Sequence, residues 1–183
     1  MANKIKYGIS QVYYAVATAG TGGSLTYATP VAIPGAVNLS LSAEGERNVF
    51  YADNVEYFVS ESNSGYSGTL EVALIPESFK TGVLQETVNT AGVYVEAANV
   101  TPKEFALLFQ FEGDDKATRH ALFRCIASRP DVAGATKEAA IEPQTETLNI
   151  TALPRINDYV VKGSCPQTAS TAYAAWYTAV VSV

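Results

Sequence analysis

The stretch Lys137-Glu138-Ala139-Ala140-Ile141-Glu142-Pro143-Gln144-Thr145-Glu146-Thr147-Leu148-Asn149-Ile150-Thr151 decides the class of fold. It opens polar and charged, and Pro143 marks the entry to a strand. From Glu146 onward Leu148, Ile150 and Ala152 alternate with Thr147, Asn149 and Thr151. A period of two is a strand with one dry face and one wet face. The wet face is built of hydroxyls and an amide, where an ordinary solvent face would usually include Lys or Glu.

Three further segments repeat the pattern. Val37, Leu39 and Leu41 alternate with Asn38, Ser40 and Ser42. Tyr66, Gly68, Leu70, Val72 and Leu74 alternate with Ser67, Thr69, Glu71 and Ala73. Phe105, Leu107, Phe109 and Phe111 alternate with Ala106, Leu108, Gln110 and Glu112. The last run follows Thr101-Pro102-Lys103-Glu104, which has the spacing of a helix capping box. A helix would scatter those four rings around its circumference, so the run reads as a strand. Gly113-Asp114-Asp115 turns the chain, residues 117–129 return, and Pro130 ends the pair. Ala121, Phe123, Cys125 and Ala127 also fall on odd numbers. Directly opposed residues share a face, so the expected register sets Phe109 opposite Ala121 and Leu107 opposite Phe123. It leaves His120 on the polar side beside Arg119.

The other elements follow from local signals. Residues 5–16, rich in Tyr and Val, read as a strand, and residues 19–24 as a glycine-rich turn. Pro76 opens a short helix, with Ile75, Phe79 and Val83 on one face. Residues 85–104 read as a polar connection around Val93-Tyr94-Val95. Residues 168–178 predict a short helix capped by Thr168 or Ser170, and Val180, Val181 and Val183 a final extended arm. Residues 43–64 predict a long extended loop, acidic and aromatic at once. Such loops are usually functional, and this one is suited to lying on another subunit through Val49, Phe50, Tyr51, Tyr57 and Phe58. The fold class is mainly β, in one domain over residues 1–183.

Composition narrows the function. The chain is 48% hydrophobic and 16% charged, with a net charge of −6. That is a folded protein and a poor gripper of phosphates. Low charge with 11 Tyr suits a surface covered by partners. No apolar run reaches the ~20 residues of a membrane span. The N-terminal segment fails as a signal peptide because Gly8, Ser10 and Gln11 interrupt its apolar centre. Cys125, among apolar neighbours, reads as a buried hydrophobe.

Catalytic signals are weak. His120 is the single histidine, too few for a histidine metal cluster. Gly65-Tyr66-Ser67-Gly68 brushes against a nucleophile elbow, but Thr69 stands where its final glycine belongs. The glycines of 19–24 lack the dinucleotide spacing. Asp114-Asp115 sits in a turn, where aspartates are common for conformational reasons. No catalytic residue, cofactor or metal ligand is expected.

Several segments together resemble the major tail protein (tail tube) family of phages and prophages with long non-contractile tails. They are Ile5-Lys6-Tyr7-Gly8-Ile9-Ser10, Ile33-Pro34-Gly35-Ala36-Val37, Phe50-Tyr51-Ala52-Asp53-Asn54, and Gly65-Tyr66-Ser67-Gly68 through Ile75-Pro76. Phe105-Ala106-Leu107-Leu108-Phe109, Lys116-Ala117-Thr118-Arg119-His120 and Ile141-Glu142-Pro143-Gln144-Thr145-Glu146-Thr147-Leu148 complete the series. Each is weak alone, and their order along the chain makes the resemblance specific. It implies a β-sandwich or barrel subunit with one or two short flanking helices and a long inter-ring loop. It also implies hexameric rings stacked into a hollow tube, with inner strands closing one barrel around the DNA path. The implied partners are further copies of the chain, the tape measure protein, the tail terminator and distal tail proteins, with DNA only in transit and no membrane. The implied location is the virion, after synthesis in the bacterial cytoplasm.

On that basis Ser40, Ser42, Thr69, Glu71, Gln110, Glu112, Thr147 and Asn149 are expected to face the lumen. Their strands present wet faces without base, which lets phosphates pass without sticking. The loop 43–64 is expected to order only between stacked rings. The reading from a different class is a secreted or surface β-sandwich that binds carbohydrate.

Overall fold

The computed structural model describes residues 4–136 and 143–181. The charged entry at residues 137–142 and the end of the C-terminal arm at Val183 lie outside them. In chain order the strands are β1 (Lys4–Ala19), β2 (Leu25–Tyr27), β3 (Val31–Ala32), β4 (Ala36–Glu44), β5 (Arg47–Ala52), β6 (Val55–Glu61) and β7 (Gly65–Val72). Helix α1 (Glu77–Gly82) follows, then β8 (Thr87–Val88), β9 (Tyr94–Val95), β10 (Phe105–Asp114), β11 (Arg119–Ala127), β12 (Glu146–Ala152) and β13 (Lys162–Cys165). Helix α2 (Ser170–Ala175) closes the series. The fold is mainly β, as expected.

One antiparallel sheet holds the order β2-β1-β10-β11-β12-β7-β4, with β3 on β1 and β13 on β11. The last strand, β4, returns against β1, so the sheet curls into a barrel. The long β1 bends to allow this. Its register against β10 shifts three times, and Gly8 and Gln11 take positive φ. Bulges of this kind add local twist and curvature.

The core lies inside the curl. Leu70 and Val72 from β7, Leu148 and Ile150 from β12, Leu107 from β10 and Leu122 from β11 are all buried there. Pro76 stands at the N-cap of α1, and the expected face of Ile75, Phe79 and Val83 is fully buried. Phe79 meets Tyr14 and Phe105 edge-on, at 4.9 and 5.4 Å between ring centres. Helix α1 thereby plugs one end of the barrel. The strand before it ends at Val72, one alternation earlier than expected, and Leu74 is exposed.

The β10–β11 register differs from the expected one. Leu107 lies opposite Leu122, Leu108 opposite Ala121 and Phe109 opposite His120. Odd pairs with even because β10 is buried on both faces from Phe105 to Phe109. Parity then carries no information about which face is which. A bulge restores odd parity further along, where Phe105 opposes Cys125. Leu122 and Cys125 therefore share the inner core, while Ala121 and Phe123 join Leu108 in a second, outer cluster.

That outer cluster is roofed by the C-terminal segment. Trp176 is buried in it, and Tyr173, Tyr177, Val180 and Val181 pack against it. Val180 and Val181 thus fold back on the sheet rather than extending as an arm. Helix α2 has Ala169 at its N-cap with no side-chain cap bond, so Thr168 does not serve as its cap. Arg119 lies over the rings of both Tyr173 and Tyr177, at 3.7 and 4.6 Å.

Candidate functional surfaces

Strands β4, β7 and β12 are neighbours, and their register builds one continuous outer surface. Ser40, Thr69 and Asn149 form a cross-strand row. Asn38, Glu71 and Thr147 form the next on one side, and Ser42, Ser67 and Thr151 on the other. Directly opposed side chains sit close enough to hydrogen-bond. The three strands contain no Lys or Arg. Their carboxylates are tied down locally. Glu71 accepts from the Thr145 hydroxyl at 2.6 Å, Glu44 accepts from Ser67, and Glu146 accepts the Ile75 N–H at 2.6 Å.

Six of the eight residues expected at a lumen therefore share one surface. Gln110 and Glu112 do not join it, because β11 stands between β10 and β12. Gln110 lies beside the C-terminal roof, accepting from Arg119 Nε at 3.3 Å and from the Tyr177 hydroxyl at 3.5 Å. Glu112 is paired with Tyr7 on β1. The set expected at the lumen left out Asn38, Ser67 and Thr151, although the same alternation places each on the wet face.

The segment 43–64, expected as a loop that orders only between rings, is a hairpin already paired within the single chain. Strands β5 and β6 pair antiparallel and continue away from the ends of β4 and β7. Asp53 and Asn54 make the turn, both in the left-handed region at φ 52° and 61°. Asn and Asp tolerate that conformation and favour two-residue hairpin turns. Phe50, Tyr51, Tyr57 and Phe58 remain exposed, at 61, 62, 71 and 61%, and Val49 is half-buried. Arg47 and Glu56 form an exposed ion pair at 2.8 Å.

The glycines of the apparent nucleophile elbow have a structural cause. A Cβ on Gly65, which has φ +116°, would fall 1.9 Å from the Ala152 carbonyl oxygen. A Cβ on Gly68 would fall 1.9 Å from that of Ser40. Both glycines let adjoining strands approach closely.

The end of the barrel opposite α1 is open. A cavity of about 270 Å³ there has Leu39, Leu41, Phe109 and Leu122 as its floor, and Lys6, Lys162, Tyr66, Phe111 and His120 among its walls. Lys6 Nζ lies 4.7 Å from the centre of the Phe111 ring, and Lys162 Nζ 4.8 Å from that of Tyr66. His120 stacks on Phe109 at 5.4 Å. It is half-buried rather than on a solvated polar side, because the register turns it toward Phe109. Burial holds its pKa below the ordinary value, and Lys6 and Lys162 add to the effect. Cys125 is buried, and burial pushes its thiol pKa up; Cys165 is also a free, buried thiol. Among the described residues no group of three or more His, Cys, Asp or Glu is placed to hold a metal ion, and no helix is long and apolar enough to cross a membrane.

The surfaces define an antiparallel barrel with one bare polar flank, one roofed flank and a projecting aromatic hairpin. No family model and no curated protein matches the chain. Among solved structures it is similar to a chain in the cryo-EM structure of the anti-feeding prophage (AFP) baseplate, 6-fold symmetrised. The TM-score is 0.44 and the identity 12%, over 87% of this chain and 96% of that one. A likeness at that level bears on no point of function.

Proposed function

We propose that this chain is a structural virion protein, a subunit of a phage tail tube built from stacked hexameric rings that conducts DNA during ejection. The observation that carries the reading is the three-strand surface of Ser, Thr, Asn and Glu without a basic residue. Ser40, Ser42, Thr69, Glu71, Thr147 and Asn149, with Asn38, Ser67 and Thr151, line the lumen in this reading. Such a wall stays wetted while offering phosphate no cation to bind. The exposed aromatic hairpin supports assembly, since a fully buried Phe-sized side chain contributes about 1.5–3 kcal/mol. The tape measure, terminator and distal tail proteins are the further partners that the reading implies.

Electron microscopy of the concentrated, purified chain tests this. Hollow tubes with sixfold rings are expected. Dispersed single particles that bind a glycan array would overturn it in favour of a carbohydrate-binding module.

A further inference from the structure

The two ends of the barrel differ in a way that selects a partner. One end is plugged by α1. At the other end the mouth carries two ammonium groups and the imidazole over an apolar floor. Neither Lys6 nor Lys162 has a carboxylate within ion-pair distance among the described residues. Both instead rest over aromatic rings. This cationic mouth belongs to a chain of net charge −6. At about 270 Å³ it falls below the ~300–1,000 Å³ of ordinary small-ligand pockets. It is of a size for inserted side chains.

The same end bears a surface of opposite character. The segment from Glu44 through Glu61 holds Glu44, Glu46, Asp53, Glu56 and Glu61 against Arg47 alone. Its exposed Phe and Tyr side chains find no cover among the described residues. We propose that the open mouth of the barrel, rimmed by Lys6 and Lys162, receives the acidic, aromatic β5–β6 hairpin of a second copy of this chain lying beside it.

Position decides that the copies lie side by side. Leu41 and Tyr66, in the mouth, stand next to the strand ends from which the hairpin springs. Hairpin and mouth therefore share one end of the barrel. A head-to-tail stack presents the hairpin end of one copy to the α1 end of the next, so the two never meet. Copies related by rotation about an axis along the barrel bring the base of each hairpin level with the next mouth, and a hairpin leaning toward its neighbour covers that mouth. The hairpin strands, at ~3.3 Å per residue, reach about 20 Å. The contact is heterologous and closes into a ring when the rotation divides a full turn. An ammonium beside both an aromatic face and a carboxylate gains from each.

The inference rests on the self-assembling subunit proposed above, and a charge exchange separates the two. One full-length variant carries Lys6→Glu and Lys162→Glu, the other Glu56→Lys and Glu61→Lys. All four positions are exposed, and circular dichroism checks each fold. Association is followed by sedimentation at low salt. Each variant alone should associate at least about tenfold more weakly than the parent, because like charges then face each other. An equimolar mixture should recover the parent's association, since alternating copies restore opposite charges at every contact. The ring protons of His120, the only histidine, should shift on association in the parent and in the mixture. Unimpaired association of the mouth variant alone, or a mixture no stronger than its parts, overturns the contact. Rescued association without tubes in the microscope supports the contact and overturns the tube reading instead.

Discussion

Gly65 stands with φ +116° against the Ala152 carbonyl, so both its conformation and its missing side chain are required. Gly65→Ala should cost at least about 2 kcal/mol, from left-handed strain and overpacking together. Urea unfolding should show the midpoint falling with little change in slope. His120 offers a second residue-level test. Its pKa is lowered by burial first, then by Lys6 and Lys162, while Asp114 acts in the opposite direction. The unfolded chain thus binds this proton more readily than the folded one. The stability tied to the neutral ring is fully present above the unfolded value near ~6.5. It is lost as pH falls through the lower folded value. Lys162→Gln should move the His120 titration up toward the ordinary value. Proton NMR reads this directly, because no other imidazole contributes; an unmoved or lower titration would contradict the proximity of Lys162.

At the scale of elements, α1 and the β5–β6 hairpin make opposite predictions. Phe79 is fully buried between Tyr14 and Phe105. Phe79→Ala should cost about 3–5 kcal/mol and lower the melting temperature of the whole barrel. The hairpin is exposed on both faces along β6 and supports none of the core. Replacing residues 46–61 with a short glycine turn should leave the melting temperature nearly unchanged and abolish assembly. Light scattering on the parent and the shortened chain compares the two. A shortened chain that still forms long assemblies would show that the hairpin is dispensable for contact.

For the whole molecule, symmetry turns one side chain into a ring of them. Glu71→Lys with Thr147→Lys places two cations on adjacent strands of the bare flank, where the surface is open to solvent or half so. Subunit folding should survive. Particles built from the variant should eject DNA more slowly as salt is lowered, because bound phosphate exchanges less readily. A control with lysines at Asn157 and Ser164, which are also exposed, should eject normally. Equal ejection by the two would remove this flank from the lumen.

Much of the architecture was legible in the order of residues because strands buried on one side write their faces as a period of two. β7, β12 and β4 from Leu39 onward were readable for that reason, as was the helix that opens behind Pro76; Val37, expected on the apolar face of β4, is instead exposed at a register shift between Ala36 and Asn38. The same parity selected Ser40, Thr69 and Asn149 without any knowledge that they form a single row. Where a strand is buried on both faces, alternation has nothing to distinguish. β10 is such a strand, and its register with β11 came from a bulge that no local pattern announces. Packing of distant segments decided the remainder. Sheet order keeps Gln110 off the bare flank, because β11 stands between β10 and β12, and the closing of β4 on β1 sets Leu39 and Leu41 against Lys6, His120 and Lys162 to form the mouth. Those last three residues are far apart along the chain, and the pairing of β1 with β10, β10 with β11 and β11 with β13 brings them together.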